Sequence, residues 1–336
     1  MKRAVFCILA AVLIITAAAS CTRKSDYEVF MEANEKTGKV EMGKLSMEIS
    51  MNMDFNKEGL PEEAKKFLGL FEKFNLELND EFNRKKEEGL KKVFLQTGEM
   101  GIDGKLYTRG KVGYVITPLI PKIVVVQGEE LIHLNTGKFD KEDIPKLSDN
   151  SLEQLNRIWT ALYSDENVSA LEDIVMETPE GSVKAKKFVV KLTDEQLKPA
   201  IKKSMDVFMK DEQLINGMKN IMEGQSAEFH GFTVEEMLRQ NISILDQATV
   251  NNFTQVAYID RDNYVIDETV SMDITFHFTE PGMPNHYSFS MRIKRWDLNK
   301  EPKIYFPEVN EENSITLKQL SDEYPGVFDG MKGAEK

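Results

Sequence analysis

The clearest alternation in the chain lies at residues 45–55, LSMEISMNMDF. Leu45, Met47, Ile49, Met51, Met53 and Phe55 hold the odd positions; Ser46, Glu48, Ser50, Asn52 and Asp54 hold the even ones. Successive side chains of a strand point to opposite faces, so this stretch predicts one apolar and one polar face. Near the other end YVIDETVSMDITFHF (264–278) repeats the pattern, with Val270, Met272, Ile274, Phe276 and Phe278 on one side. After a turn at Glu280 to Pro284, HYSFSMRIKRW (286–296) returns with Tyr287, Phe289, Met291 and Ile293 aligned. A register pairing Phe276 with Tyr287, Ile274 with Phe289 and Met272 with Met291 places every large apolar side chain on one face. SMEISMNM and SMDITFHF echo each other, and two amphipathic strands obeying one alternation account for that without a repeat.

Between these ends the period changes several times. Pro61 stands at a helix N1 position, and Ala64, Phe67, Leu68, Phe71 and Phe74 follow at helical spacing. FNLELNDEF then alternates with period two. From Leu90 to Val126 the chain reads as strands LKKVFLQTGEMGI, KLYTRG, VGYVITP and KIVVVQ, with a hairpin signal at Asp103-Gly104 and a turn at Gly110 to Gly113. A helix capped by Ser151 carries Leu152, Leu155, Ile158, Trp159 and Leu162. LEDIVMET and SVKAKKFVVKL flank a Pro179-Glu180-Gly181 turn. Thr193 with Gln196 caps one or two helices reaching about Met222, and Thr233 with Glu236 opens another.

The N-terminus changes the picture from a fold to an address. Lys2 and Arg3 precede an apolar run, Ala4 to Ala19, that ends in small residues and Cys21. This is the layout of an export signal, too short for a comfortable membrane span. Cys7 falls inside the apolar run, so the exported chain keeps Cys21 alone and must be held together by its own core. Residues 1–20 are read as the signal, 21–30 as a tether, 31–320 as the folded domain with a helical insertion at about 140–250, and 321–336 as a polar tail.

Charge and composition then exclude classes of function. The chain is 41% apolar and 29% charged, a globular balance, and its formal charge is -13. Such a surface repels nucleic acid and anionic headgroups. No G-x-S-x-G, H-E-x-x-H or P-loop occurs, so the chain reads as a non-enzyme. Asp260-Arg261-Asp262-Asn263 lacks the glycine and glutamate that a calcium loop would require, at Val265 and Ser271, and reads as a turn. His277 and His286 face each other in the register above, yet Thr275, Thr279 and Ser288 around them are poor zinc ligands. Met51 and Met53 lie on one face about 7 Å apart, wide for one copper ion. No metal and no cofactor is expected. With 17 methionines in the chain, the stripe reads as packing surface, either plain core or the wall of a lipid pocket, because methionine adapts to varied partners.

Two resemblances follow from these residues. Ala18-Ala19-Ser20-Cys21 resembles the lipobox of bacterial lipoproteins, which implies cleavage before Cys21 and its lipidation, departing from the usual pattern at Ala18. SMEISMNMDF, DGKLY, VVKLTDEQLK, YIDRDNYVIDETVSMDITF and DLNKEPKIYFPE together resemble the half-barrel lipoproteins related to LolA, LppX and LprG, closest to the Met-rich Gram-positive members. That likeness implies an α+β fold, a strongly curved antiparallel sheet whose concave apolar face is covered by helices. It also implies a hydrophobic ligand, a lipid or acyl chain, bound or handed over along Met47, Ile49, Met51, Met53, Met272, Ile274, Phe276, Phe289 and Met291. The expected location is the outer face of a membrane, held by Cys21. The alternative is an envelope interaction protein whose core is filled and takes no ligand; the protein partner in that case is not defined by the sequence.

Overall fold

In the computed structural model, residues 24–127, 147–224, 233, 234, 236 and 244–323 are described. The segment read as an export signal, Cys21, the stretch beyond Glu323 and most of the helix expected after Thr233 lie outside them. What Thr233 does show is its cap: its amide donates to Glu236 Oε2 at 2.7 Å, and its Oγ1 accepts from the Glu236 amide at 3.1 Å.

The chain enters through helix α1 (Asp26–Gly38), started by a reciprocal cap between Ser25 and Glu28. Strand β1 (Met42–Phe55) follows, then α2 (Glu62–Gly69) and a meander of β2 (Lys73–Asn83), β3 (Glu88–Thr97), β4 (Met100–Arg109), β5 (Val112–Thr117) and β6 (Ile120–Gln127). The middle holds α3 (Asp149–Thr160), the hairpin β7 (Val168–Thr178) and β8 (Gly181–Leu192), then α4 (Asp194–Lys210) and α5 (Glu212–Gly224). Three long strands close the series: β9 (Ala248–Asp260), β10 (Val265–Phe276) and β11 (Pro284–Trp296). A short β12 (Ser314–Thr316) and α6 (Leu317–Glu323) come last.

All twelve strands share one curved, unclosed sheet in the order β12-β6-β5-β4-β3-β2-β1-β11-β10-β9-β8-β7. Every pairing is antiparallel except β12 with β6. The fold is therefore α+β and fits a half-barrel, as the resemblance implies. The first and last long strands, β1 and β11, meet at its centre. Residues 140–250 contribute helices and also the two strands at one edge of the sheet.

Helix α1 packs on one face of the sheet, the inner face. Phe30 and Ala33 of α1 are 1% and 0% exposed, set against Phe188, Val190, Ala257 and Val265 of that face. The main core therefore sits over β7 to β10, toward one side of the sheet. A second, smaller cluster lies at the opposite edge, where Val124 and Val126 meet Ile315 and Leu320. On the outer face Phe306, from the segment joining β11 to β12, packs on Tyr107 and Tyr114 at 6.0 and 6.5 Å, with the Arg109 guanidinium 3.7 Å above its ring.

Several local expectations change. Asp103-Gly104 is not a turn: both residues lie inside β4, opposite Phe94 and Val93. The turn is made at Gly98, whose φ of 55° suits glycine, so LKKVFLQTGEMGI is broken into β3 and β4. The α3 cap is Ser148, whose Oγ accepts from the Ser151 amide; Ser151 stands three residues into the motif. Pro61 is the residue before α2 and not its first turn, a one-residue difference at a helix end.

The hairpin register also differs. Tyr287 pairs with Ile274, Phe289 with Met272 and Met291 with Val270, two residues from the expected pairing. In the structure β10 leaves the ladder with β11 at Thr275. Its His277 amide donates to Gln247 O at 2.8 Å, and Phe276 and Phe278 stack at 5.8 Å outside the hairpin ladder. A shift of two preserves parity, so the apolar face survives. It does separate the histidines: His286 pairs with Thr275, and His277 Nε2 lies 2.9 Å from Thr249 Oγ1.

Candidate ligand-binding band

The registers lay the stripes side by side on the inner face. Leu76, Ile49, Met291 and Val270 form one row across four strands; Phe74, Met51, Phe289 and Met272 form the next. Met53, Tyr287 and Ile274 form a third, and Leu78, Met47 and Ile293 a fourth. Eight of the nine candidate residues thus join one band; Phe276 continues the β10 stripe beyond the ladder with β11, opposite Ala248. From Leu45 to Met53 the band runs roughly 27 Å at a strand rise of about 3.4 Å.

Among the described residues the band lies outside the fully buried core. Each of the nine residues is half-buried, and none belongs to the fully buried set. Met272 and Ile274 flank the core cluster under α1, while Met47, Ile49, Met51, Met53, Phe289 and Met291 belong to no buried cluster among the described residues. Burial pushes the Tyr287 phenol up from its ordinary value, a sign of low polarity around the third row. The outer face of the same strands is polar: Ser50 Oγ donates to Asn75 Oδ1 at 2.9 Å, and Asn52 Nδ2 to Ser288 Oγ at 3.4 Å.

The two ends of the band differ in chemistry. At the end where β1 finishes, successive connections carry exposed apolar residues. Phe67 and Phe71 of the α2 segment are 61% and 54% exposed and meet edge to face at 5.2 Å. Met100 after the β3–β4 turn is 59% exposed, and Leu119 in the β5–β6 turn 64%. Leu70 joins them through Thr97, whose Oγ1 donates to Leu70 O at 2.6 Å. At the opposite end the connections carry Arg84, Lys85, Lys86, Lys111, Arg261 and Lys300.

That second end also holds a polar chain inside the apolar face, which the stripe pattern had passed over. Tyr163 Oη donates to Gln255 Oε1 at 3.0 Å, Gln255 Nε2 donates to Glu268 Oε1 at 2.6 Å, and Arg295 Nη2 donates to Glu268 Oε2 at 3.2 Å. Gln255 and Glu268 are buried. Burial first and the Glu268 carboxylate second raise Tyr163 above its usual range, which keeps it a neutral donor. Asp267, next in the chain, turns to the outer face and takes Arg292 through two bonds of 3.1 and 2.7 Å. Nearby Asp80, opposite Leu45, is paired by Lys91 through Oδ2, while its buried Oδ1 has no partner.

Beside Arg295 lies a pocket of about 230 Å³ lined by Lys44, Leu45, Phe82, Arg84, Arg295 and the end of α1. Among the described residues no group of three or more His, Cys, Asp or Glu stands where it could hold a metal ion. His286 has only distant carboxylates, Asp54 and Asp273, each at 3.9 Å. No described helix is long and apolar enough to cross a membrane.

No protein-family profile matches the chain, and no curated protein does. Solved structures give distant likenesses. An uncharacterized conserved protein from Thermus thermophilus is 9% identical, covering 85% of this chain and 98% of its own, at a TM-score of 0.23. A LolA superfamily protein from Nitrosomonas europaea is 5% identical, covering 84% and 96%, at 0.21. A DUF1329 family protein from Desulfovibrio piger is 9% identical, covering 83% and 93%, at 0.20. Scores this low assign neither a family nor a ligand.

Proposed function

We propose that this protein is a membrane-anchored, exported, non-enzymatic carrier that binds a hydrophobic ligand, a lipid or acyl chain, along the inner band and exchanges it at a membrane surface. One observation carries the reading. Six stripe residues at the centre of the sheet are half-buried and outside every buried cluster among the described residues. A continuous apolar surface of this kind on a folded domain marks a binding site. Methionine suits it, because an unbranched, polarizable side chain conforms to guests of different shape. The exposed Phe67, Phe71, Met100 and Leu119 at one end offer the apolar contact that a bilayer boundary accepts.

Anchoring rests on the lipobox likeness at Cys21, a residue outside those described. Acyl chains there would hold the domain on the membrane, and Cys21→Ala is expected to release it into the soluble fraction. The ligand is tested by purifying the protein without strong detergent, extracting it with organic solvent and examining the extract by mass spectrometry. Stoichiometric co-purified lipid is expected. Lipid-free preparations that also ignore fluorescent acyl probes would remove the carrier reading and leave an envelope interaction protein with no ligand.

A further inference from the structure

The pocket beside Arg295 adds a second kind of chemistry to the band. Gly43 and Leu45 of β1 pair with Phe82 and Asp80 of β2, and Leu45 with Arg295 of β11, so the pocket's floor is the next step of the Met47 to Met53 stripe. At about 230 Å³ it is smaller than the usual site for a whole drug-sized ligand. It suits one end of a longer molecule.

Its walls are cationic in an acidic protein. Arg84 and Arg295 line the pocket, and no Asp or Glu does; Lys44 borders it too, but its side chain lies on the outer face with Glu81 and Trp296. The carboxylates stand behind the cations and hold them in place: Asp297 lies 3.3 Å and Glu81 4.0 Å from Lys44, and Glu268 lies 3.2 Å from Arg295. The charges of Lys44 and Arg295 are thus balanced. Arg84 differs from the other two. Its guanidinium lies 5.3 Å from the Phe82 ring centre, and among the described residues it has no carboxylate partner. A guanidinium carries five donors, and most of these remain to be used. Two arginines at one small pocket form a receptor for a planar or tetrahedral anion.

We infer that this pocket binds the anionic headgroup, a phosphate or carboxylate, of an amphiphile whose apolar chain lies along the Leu45 to Met53 stripe. The inference rests on the carrier reading and specifies the class of its ligand. Arg84 supplies the discriminating charge, since Lys44 and Arg295 are already partnered. Phe82 and Leu45 line the junction between head and chain.

The test is calorimetric titration of the purified full chain, below micelle-forming concentration, with dodecyl phosphate, dodecanoate and dodecyl maltoside as probes, and with inorganic phosphate alone. The two anionic amphiphiles are expected to bind at least about tenfold more tightly than the neutral one, a difference of about 1.4 kcal/mol. Inorganic phosphate should bind far more weakly than dodecyl phosphate. Arg84 is exposed, so Arg84→Gln should fold normally, and Arg84→Lys serves as the second variant. Arg84→Gln should bring the anionic and neutral probes within about threefold of each other; Arg84→Lys, which keeps the charge but not the fork of donors, should narrow the gap only in part. Equal binding of anionic and neutral probes to the native chain would overturn the headgroup inference and leave the carrier standing. So would a preference that survives both substitutions, or inorganic phosphate that binds as well as dodecyl phosphate. Failure of every probe, the neutral one included, would overturn both.

Discussion

Glu268 and Arg295 lie 3.2 Å apart on an otherwise apolar sheet face, with side chains 12% and 18% exposed. Removing one partner leaves a buried charge uncompensated, which costs about 3–5 kcal/mol, whereas removing both costs much less. Arg295→Met should therefore destabilise strongly, and adding Glu268→Gln should restore part of the loss. A double-mutant cycle read by urea denaturation is expected to give a coupling of about 1–3 kcal/mol. Additive losses would mean that the pair contributes nothing beyond its packing.

The contrast between core and band is measurable in the same way. Phe188 is 1% exposed and packs against Phe30 at a ring distance of 6.2 Å. Phe188→Ala should cost about 3–5 kcal/mol. Met291 is only half-buried, so Met291→Ala should cost less than about 1.5 kcal/mol while weakening the binding of acyl probes. Comparable losses at the two sites would show that the band is ordinary core.

Asp211 ties three helices together and sets an acid limit. It is 3% exposed; its Oδ1 accepts from the Leu214 amide at the start of α5, and its Oδ2 from the Ser148 amide and hydroxyl at the start of α3. Burial alone would raise its pKa, but bonds from Ser151, Leu214 and Ser148 outweigh that and hold it well below the usual carboxylate range. A depressed folded pKa stabilises above the unfolded value of about 4, and that contribution is lost as pH falls toward the folded one. Asp211→Ala should cost about 1–2 kcal/mol at pH 7. In melting curves the gap from the native chain should stay constant above about pH 5 and narrow below about pH 4.

Phe67 and Phe71 meet edge to face and are more than half exposed, so replacing both with serine should change stability by less than about 1 kcal/mol. Transfer of a fluorescent lipid from vesicles should slow several-fold in the same variant, with the affinity for soluble acyl probes preserved. Unchanged transfer would move the point of exchange away from this end of the sheet.

How much of this was legible depends on parity. Alternation with period two places Met47, Met272 and Met291 on a common face whatever the register, so the band could be read from the sequence even though the hairpin pairing was two residues off. Position along the strands is set by turns and long-range bonds, such as the His277 amide to Gln247 O, which no local pattern reports. Asp103-Gly104 carried hairpin chemistry, but Gly98 lies beside Leu70 and makes the turn instead. The polar chain did have a signal. Counting back two from Val270 gives Glu268, and counting on two from Ile293 gives Arg295, opposite charges on the same face of adjacent strands. The pocket had none, because it joins α1, β1, β2 and β11 from distant parts of the chain.

The bulge between Ala170 and Asp173 in β7 governs what the whole sheet can become. It breaks the ladder near the start of an edge strand that also carries Glu172, Asp173 and Glu177, while the opposite edge, β12, is three residues long. Irregular, charged or very short edges resist further strand pairing. Neither margin can readily zip to the other or to a second copy, so the curvature stops short of a closed barrel. A guest could then leave sideways, across the breadth of the sheet, without unfolding any part of it.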